Sequence, residues 1–216
     1  NDIFYIENSM NKEKNSYEST IFSYNLKTKE KTTWGNDGNS VSSLKQSPNK
    51  KFISFLASDE DKKQQIMLMP IKGGRAFYLT SEKEGVSNYL WNDTGASIYY
   101  QTSSQPEREI NDKVPEPKSW SKLSYKLDGV GLIPEEKTYQ IKKQNISLPN
   151  ISQLVFEKEE SFRLNHISKD ESFMLITEDL DSSDEWNYGS TVYRYDIKTT
   201  TNYSLTSSIK DGSFSF

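Results

Sequence analysis

The stretch Ser47-Pro48-Asn49-Lys50-Lys51-Phe52-Ile53-Ser54-Phe55-Leu56 opens a module that runs to Thr80 and decides the fold. Pro48 pre-sets the backbone for an early position of a tight turn, and Asn49 tolerates a left-handed conformation there. Phe52 to Leu56, Ile66-Met67-Leu68-Met69 and Ala76-Phe77-Tyr78-Leu79-Thr80 are short, β-branched and aromatic runs bounded by turn residues, which read as strands. A polar tip from Asp59 to Lys63 separates the first two. Gly73-Gly74 lets the chain reverse before the third, where a Cβ would be strained. The module is an antiparallel sheet.

The module recurs. Ile66 follows its counterpart Ile21 by 45 residues, and Asn92 follows Ser47 by 45. Ahead of the Ser47 module, Ile3-Phe4-Tyr5-Ile6, Ile21 to Leu26 and Lys31 to Trp34 read as strands, with Glu7 to Glu18 as a long hairpin loop. A third copy opens at Trp91-Asn92-Asp93-Thr94-Gly95-Ala96 and continues into the strand Ser97 to Tyr100. A fourth opens at His166-Ile167-Ser168-Lys169-Asp170-Glu171. It continues with Ser172 to Thr177, Val192 to Ile197, and Asn202 to Thr206. The Leu-Thr ending of the second copy, Leu79-Thr80, returns as Leu205-Thr206.

A period of about 40–50 residues with four short strands in each is the mark of a β-propeller. The expected fold is all-β: a partial β-propeller of about four blades, each a four-stranded antiparallel sheet. The blades fall at about 1–40, 41–83, 84–160 and 161–207, with 208–216 as the start of the next. The first copy reads as the later strands of a module without its opening. The chain starts at Asn1 inside a strand-like run with no initiator Met, which reads as a trimmed fragment. The third copy is stretched, with the extra length in Gln101 to Lys137. Pro106, Pro115 and Pro117 mark a loop or short helix there, before the strand-like Lys122 to Leu127 and a glycine-rich turn.

Composition agrees with a sheet protein. Only 33% of the 216 residues are hydrophobic, yet 12% are aromatic, too many for a disordered chain. The net charge of -4 is spread along the chain and no basic patch with aromatics occurs, so no nucleic-acid partner is expected. No apolar run reaches the roughly 20 residues of a membrane helix, and no membrane partner is expected. The absence of Cys removes disulfides, thiolate metal sites and cysteine nucleophiles. It fits a reducing compartment, and the expected location is cytoplasmic, although many exported bacterial proteins also lack Cys.

These motifs resemble a known family. The turns at Ser47 to Lys51 and Asn92 to Ala96 resemble the S-P-D-G-K turn of PD-type propeller repeats. The run from Gly73-Gly74 to Leu79-Thr80 resembles their G-G-x-x-x-x-L-T ending, shared with TolB-type propellers. Leu123-Ser124-Tyr125-Lys126 with Asp128-Gly129-Val130-Gly131 resembles an insertion in the propellers of acylaminoacyl peptidases and related dipeptidyl peptidases, members of the prolyl oligopeptidase family. The chain departs from the pattern in that no copy keeps the full S-P-D-G-K, and His166 stands where Trp often precedes the turn. The resemblance implies a non-catalytic propeller cap, gating access of short peptide substrates to a carboxy-terminal α/β-hydrolase domain of the same parent chain. The parent would be a serine peptidase. The alternative is a TolB-like propeller serving as a protein-binding scaffold.

No catalytic residue of that family carries over. A nucleophile elbow needs G-x-S-x-G between strand and helix, and no such run exists. Asp211-Gly212-Ser213 and Gly189-Ser190 lack the second glycine. His166, the only histidine, is expected to be packed or capping. With one His and no Cys, no metal site and no cofactor are expected. Asp59-Glu60-Asp61 reads as a solvated hairpin tip and Glu157 to Glu160 as a charged connection.

The acidic run Glu178 to Glu185 precedes Trp186-Asn187-Tyr188. Some dipeptidyl peptidases hold the substrate's amino terminus with propeller acids, and the resemblance points to Asp184 and Glu185 as substrate-binding candidates. A solvated loop is the competing reading. Of four N-x-S/T sequons, at Asn92, Asn145, Asn150 and Asn202, chance is a sufficient explanation in a chain this rich in Asn, Ser and Thr. A partial propeller leaves sheet edges open, so the fragment is expected to self-associate.

Overall fold

A computed structural model describes residues 2–13, 15–34, 40–105, 126–127, 131–132, 137–149, 151–179 and 189–206. Among them every regular element is a strand. The first sheet joins β1 (Asp2–Asn11), β2 (Ser16–Asn25) and β3 (Lys31–Thr33) in sequence order. The second joins β4 (Val41–Gln46), β5 (Phe52–Ser58), β6 (Gln64–Pro70) and β7 (Phe77–Tyr78), also in order. The third takes β8 (Asn88–Trp91) and β9 (Ser97–Ser104). A small hairpin of β10 (Lys126–Leu127) and β11 (Gly131–Leu132) interrupts the chain before the sheet resumes with β12 (Thr138–Asn145) and β13 (Ser152–Lys158). The fourth runs β14 (Phe162–Ile167), β15 (Phe173–Asp179), β16 (Ser190–Asp196) and β17 (Thr201–Ser204). These successive antiparallel sheets make a partial β-propeller. The chain divides into two compact units, residues 1–100 with 143–153, and residues 101–142 with 154–216.

One turn is built three times. At Ser47, Asn92 and Ser168 the backbone N–H donates to the carbonyl five residues on: Phe52 (2.9 Å), Ser97 (3.0 Å) and Phe173 (2.9 Å). The carbonyl of each first residue accepts from the N–H three residues on, in Lys50, Gly95 and Glu171. Its side-chain oxygen accepts the N–H of the residue five on, the sixth of the turn, at 2.9, 3.0 and 3.0 Å. These three side chains are 1%, 3% and 6% exposed. The left-handed residue is the fourth of the turn, with φ of 57° at Lys50, 66° at Gly95 and 55° at Glu171. This corrects the expectation that Asn49 takes that conformation. Asn49 instead donates from Nδ2 to the Gly95 carbonyl at 2.8 Å, tying the second sheet's turn to the third's. A Cβ on Gly95 would lie 2.7 Å from that nitrogen, so the close approach requires glycine as the φ does.

The Leu-Thr endings repeat for a similar reason. Thr80 Oγ1 accepts the Ile66 N–H (2.9 Å) while the Leu79 N–H donates to the Ile66 carbonyl (2.8 Å). Thr206 and Leu205 treat Val192 in the same way, at 3.0 and 2.8 Å. The threonine hydroxyl extends the ladder by one bond beyond the outer strand.

Within the first unit, the period-2 alternation of strands sorts apolar side chains into two cores. Ile53, Phe55, Ala57 and Met69 pack with Ile21 and Val41, joined by Phe4 and Ile6 of the first sheet and by Trp34, which directly follows β3. From the other face of the second sheet, Leu56, Ile66, Leu68 and Leu79 pack with Tyr89, Ile98 and Tyr100 of the third. Both faces of β5 and β6 are covered, which is why their sequences are nearly continuous apolar runs. In the second unit, Phe156 meets Phe162 and Tyr195 edge-on, with ring centroids 5.1 and 4.7 Å apart. The buried Gln101 side chain donates to the Phe162 carbonyl and accepts the Leu164 N–H at 3.2 Å.

Several expectations change. Glu7 to Glu18 is not a long loop: β1 and β2 pair continuously to Asn11↔Ser16. Polar residues hold this ribbon, with Asn11 Nδ2 to Glu18 at 2.8 Å and Ser19 Oγ to Asn8 at 2.7 Å. The first sheet does keep the three strands read from the sequence for that copy, with longer bounds for the first two. Strands β4, β8, β12 and β13 are not delimited by the sequence, because their residues mix polar and apolar types. Glu157 and Lys158 belong to β13 rather than to a connection. His166 is exposed rather than packed, beside a register shift between Leu164 and His166. Ile167, adjacent to Ser168, occupies the place that Trp91 holds before Asn92.

The repeated turn generates a direct expectation. Asn92→Ala orphans the Ser97 N–H that Asn92 Oδ1 accepts at 3.0 Å, leaves the Ala96 N–H only its longer bond to Thr94 Oγ1 at 3.3 Å, and costs about 2 kcal/mol. Asn92→Ser, which installs the group used at Ser47 and Ser168, costs less than about half of that. Urea unfolding of both variants checks the order.

Candidate functional site

The first strand of a propeller blade runs beside the central channel. In the second and third sheets these strands are β4 and β8, and both belong to the first unit. The β4 ladder against β5 shifts register between Ser42 and Lys45, and Ser43 stands at φ 54°. Such an irregularity re-aims the side chain that follows it. Here that side chain is Lys45.

The Lys45 ammonium donates to the Tyr89 main-chain carbonyl and lies 4.6 Å from the centroid of the Tyr89 ring. The Tyr89 hydroxyl in turn donates to the Ser43 carbonyl. Ser54 Oγ donates to the Lys45 carbonyl (3.2 Å) and accepts from Trp91 Nε1 (2.8 Å). Lys45 is thus strapped against the fully buried Tyr89. Burial holds its pKa below the usual lysine range, and burial raises the Tyr89 phenol far above its ordinary value. Among the described residues no carboxylate lies within ion-pair distance of Lys45. Lys45 itself is half-buried, and Ser42, Ser43 and Gln46 beside it are exposed.

Asp184 and Glu185, the substrate-binding candidates of the sequence, lie outside the described residues. Of the same acidic run, Glu178 is in β15, where its carboxylate accepts from Lys158 Nζ at 2.7 Å. The Tyr125 to Gly131 segment lies largely outside as well, and its described part pairs Lys126↔Leu132 and Leu127↔Gly131. Ser190 begins β16 opposite Asp179, a strand position rather than an elbow. In the Asp59 tip, Glu60 and Asp61 are exposed. Asp59 itself accepts the Lys63 N–H (2.8 Å) and the buried Gln65 amide (2.9 Å). Asn92, the first residue of its sequon, is itself buried in the turn.

Sequence reasoning did not find Lys45. Nothing in Val41-Ser42-Ser43-Leu44-Lys45-Gln46 signals a tyrosine 44 residues later. The only cue is a lysine at the end of a short strand ahead of a repeated turn.

No protein-family model matches the chain. Over 134 residues, 59% of its length, it is 33% identical to an uncharacterized peptidase of Bacillus subtilis (strain 168), covering 20% of that protein. It is similar in structure to the Pyrococcus horikoshii acylaminoacyl peptidase, with a TM-score of 0.71 and 18% identity over 97% of this chain and 31% of that one. The β-propeller domain of the trilobed protease from Pyrococcus furiosus gives a TM-score of 0.60 with 16% identity, over 96% of this chain and 54% of that one. TolB from Acinetobacter baumannii gives 0.56 with 15% identity, over 87% and 37%. The chain spans about a fifth of the curated relative and under a third of the acylaminoacyl peptidase.

Proposed function

We propose that this chain, a β-propeller segment of the prolyl oligopeptidase type, is the non-catalytic cap of a cytoplasmic serine peptidase. The cap gates access of short peptides to a carboxy-terminal α/β-hydrolase domain in the same parent. The observation that carries this reading is the 33% identity to a peptidase. The likeness of 97% of the chain to part of an acylaminoacyl peptidase supports it. The mechanism is selection by size: a bladed ring admits an extended peptide and turns away a folded domain. The second reading, a binding scaffold without an enzyme, draws on the likeness to TolB. The higher TM-score to the peptidase favours the first.

Leu205 supports a further part of the proposal. It closes the fourth sheet as Leu79 closes the second, yet Leu79 is 0% exposed and Leu205 is 54% exposed, beside Tyr203 at 53%. Leaving a leucine in water that the fold elsewhere buries forgoes about 2 kcal/mol. The isolated chain therefore associates with itself through such faces.

Two measurements follow. The purified chain hydrolyses no acyl-peptide or dipeptidyl substrate, while the full-length parent does so and is labelled by a serine-directed fluorophosphonate. Serine-dependent turnover by the chain alone, or a parent that does not react, contradicts the cap reading. Light scattering shows a mass above the monomer that rises with concentration, and a strictly monomeric mass at high concentration contradicts the association.

A further inference from the structure

We propose that Lys45 is a receptor for a carboxylate, and that its ligand is the carboxy-terminal carboxylate of a short peptide passing β4. The choice of a peptide as ligand rests on the cap reading above; the carboxylate site itself rests on geometry.

An ammonium carries three donors. Lys45 spends one on the Tyr89 carbonyl and turns its charge to the Tyr89 ring, and among the described residues no anion completes the set. Covered lysines are ordinarily paired. An ordinary surface ion pair looks different in this chain: Lys31 bonds Glu7 at 2.7 Å while also lying over the Phe22 ring. The backbone around Lys45 is shaped to place it, with Ser43 at positive φ and a register shift ending at Lys45 itself. Ser42, Ser43 and Gln46 form an exposed polar rim.

A carboxylate entering this rim takes up the remaining donors in charge-assisted hydrogen bonds. Its attraction is stronger than in bulk water because the ammonium is already partly desolvated. The aromatic seat fixes the cation before the ligand arrives, which lowers the ordering cost of binding. A peptide with a free carboxy terminus supplies such a group; the same peptide capped as an amide does not. A strap whose only role is to hold β4 to β8 would not distinguish the two.

The test uses the 216-residue chain, nitrogen-15 labelled, titrated at constant ionic strength with N-acetyl-alanyl-alanine and separately with its carboxamide. The acid shifts the amide resonances of Ser43, Lys45 and Tyr89 in a saturable way, and the carboxamide does so at least about tenfold more weakly. Lys45→Met, with an otherwise unchanged spectrum, loses the response to the acid. Equal responses to acid and amide, no response at these three residues, or wild-type binding by Lys45→Met overturns the proposal. If Lys45→Met fails to fold, the acid-against-amide comparison on the unaltered chain decides alone. The readout needs no hydrolase, so its failure is separable from a parent that lacks a reactive serine.

Discussion

One hydrogen bond recurs between the first two strands of the second, third and fourth sheets: a buried side-chain oxygen accepting the N–H five residues later. Ser47, Asn92 and Ser168 each provide it, at 2.9 to 3.0 Å. The bond closes the turn between the first and second strands of a sheet and so fixes which residue of one strand faces which residue of the next. Because side chains alternate across a strand, a slip of one residue would send the apolar set to the wrong face. With the register fixed, Ile53, Phe55 and Ala57 reach one core while Leu56, Ile66 and Leu68 reach the other. The Asn49 link to Gly95 then ties one turn to the next.

That constraint explains what the sequence makes legible. A residue able to accept at the first position, a residue able to take positive φ at the fourth and an apolar strand afterwards recur at a fixed spacing, and the Leu-Thr ending marks the far side. Turn chemistry is local, so it survives in sequence. Lys50 and Glu171 show the limit: neither is glycine, yet both adopt the left-handed conformation that Gly95 adopts freely. The turn's hydrogen bonds hold them there, and residue type alone pointed to Asn49 instead.

What the sequence hides is governed by partners far along the chain. The ribbon from Glu7 to Glu18 looks like a loop because its residues are polar; as a pair of strands they satisfy one another across the ladder. Strands such as β4 and β13 alternate polar with apolar residues over too few positions to stand out. Lys45 belongs to the same class. Its environment is made by Tyr89, Ser43 and Ser54, and neither charge pattern nor spacing brings them together. Asp184 and Glu185 show the reverse: an acidic run is conspicuous in sequence, while the described part of it, Glu178, is already engaged by Lys158.

The claim on which all of this depends is that the three turns are one device. Native-state amide hydrogen exchange measures it residue by residue. Phe52, Ser97 and Phe173, the sixth residues of the three turns, are expected to exchange slowly and with similar protection in each compact unit, in step with the core strands that follow them. Exchange at unprotected rates at any of the three, with its neighbouring strand still protected, would show that the turn is decoration and that the sheets are held in register by something else.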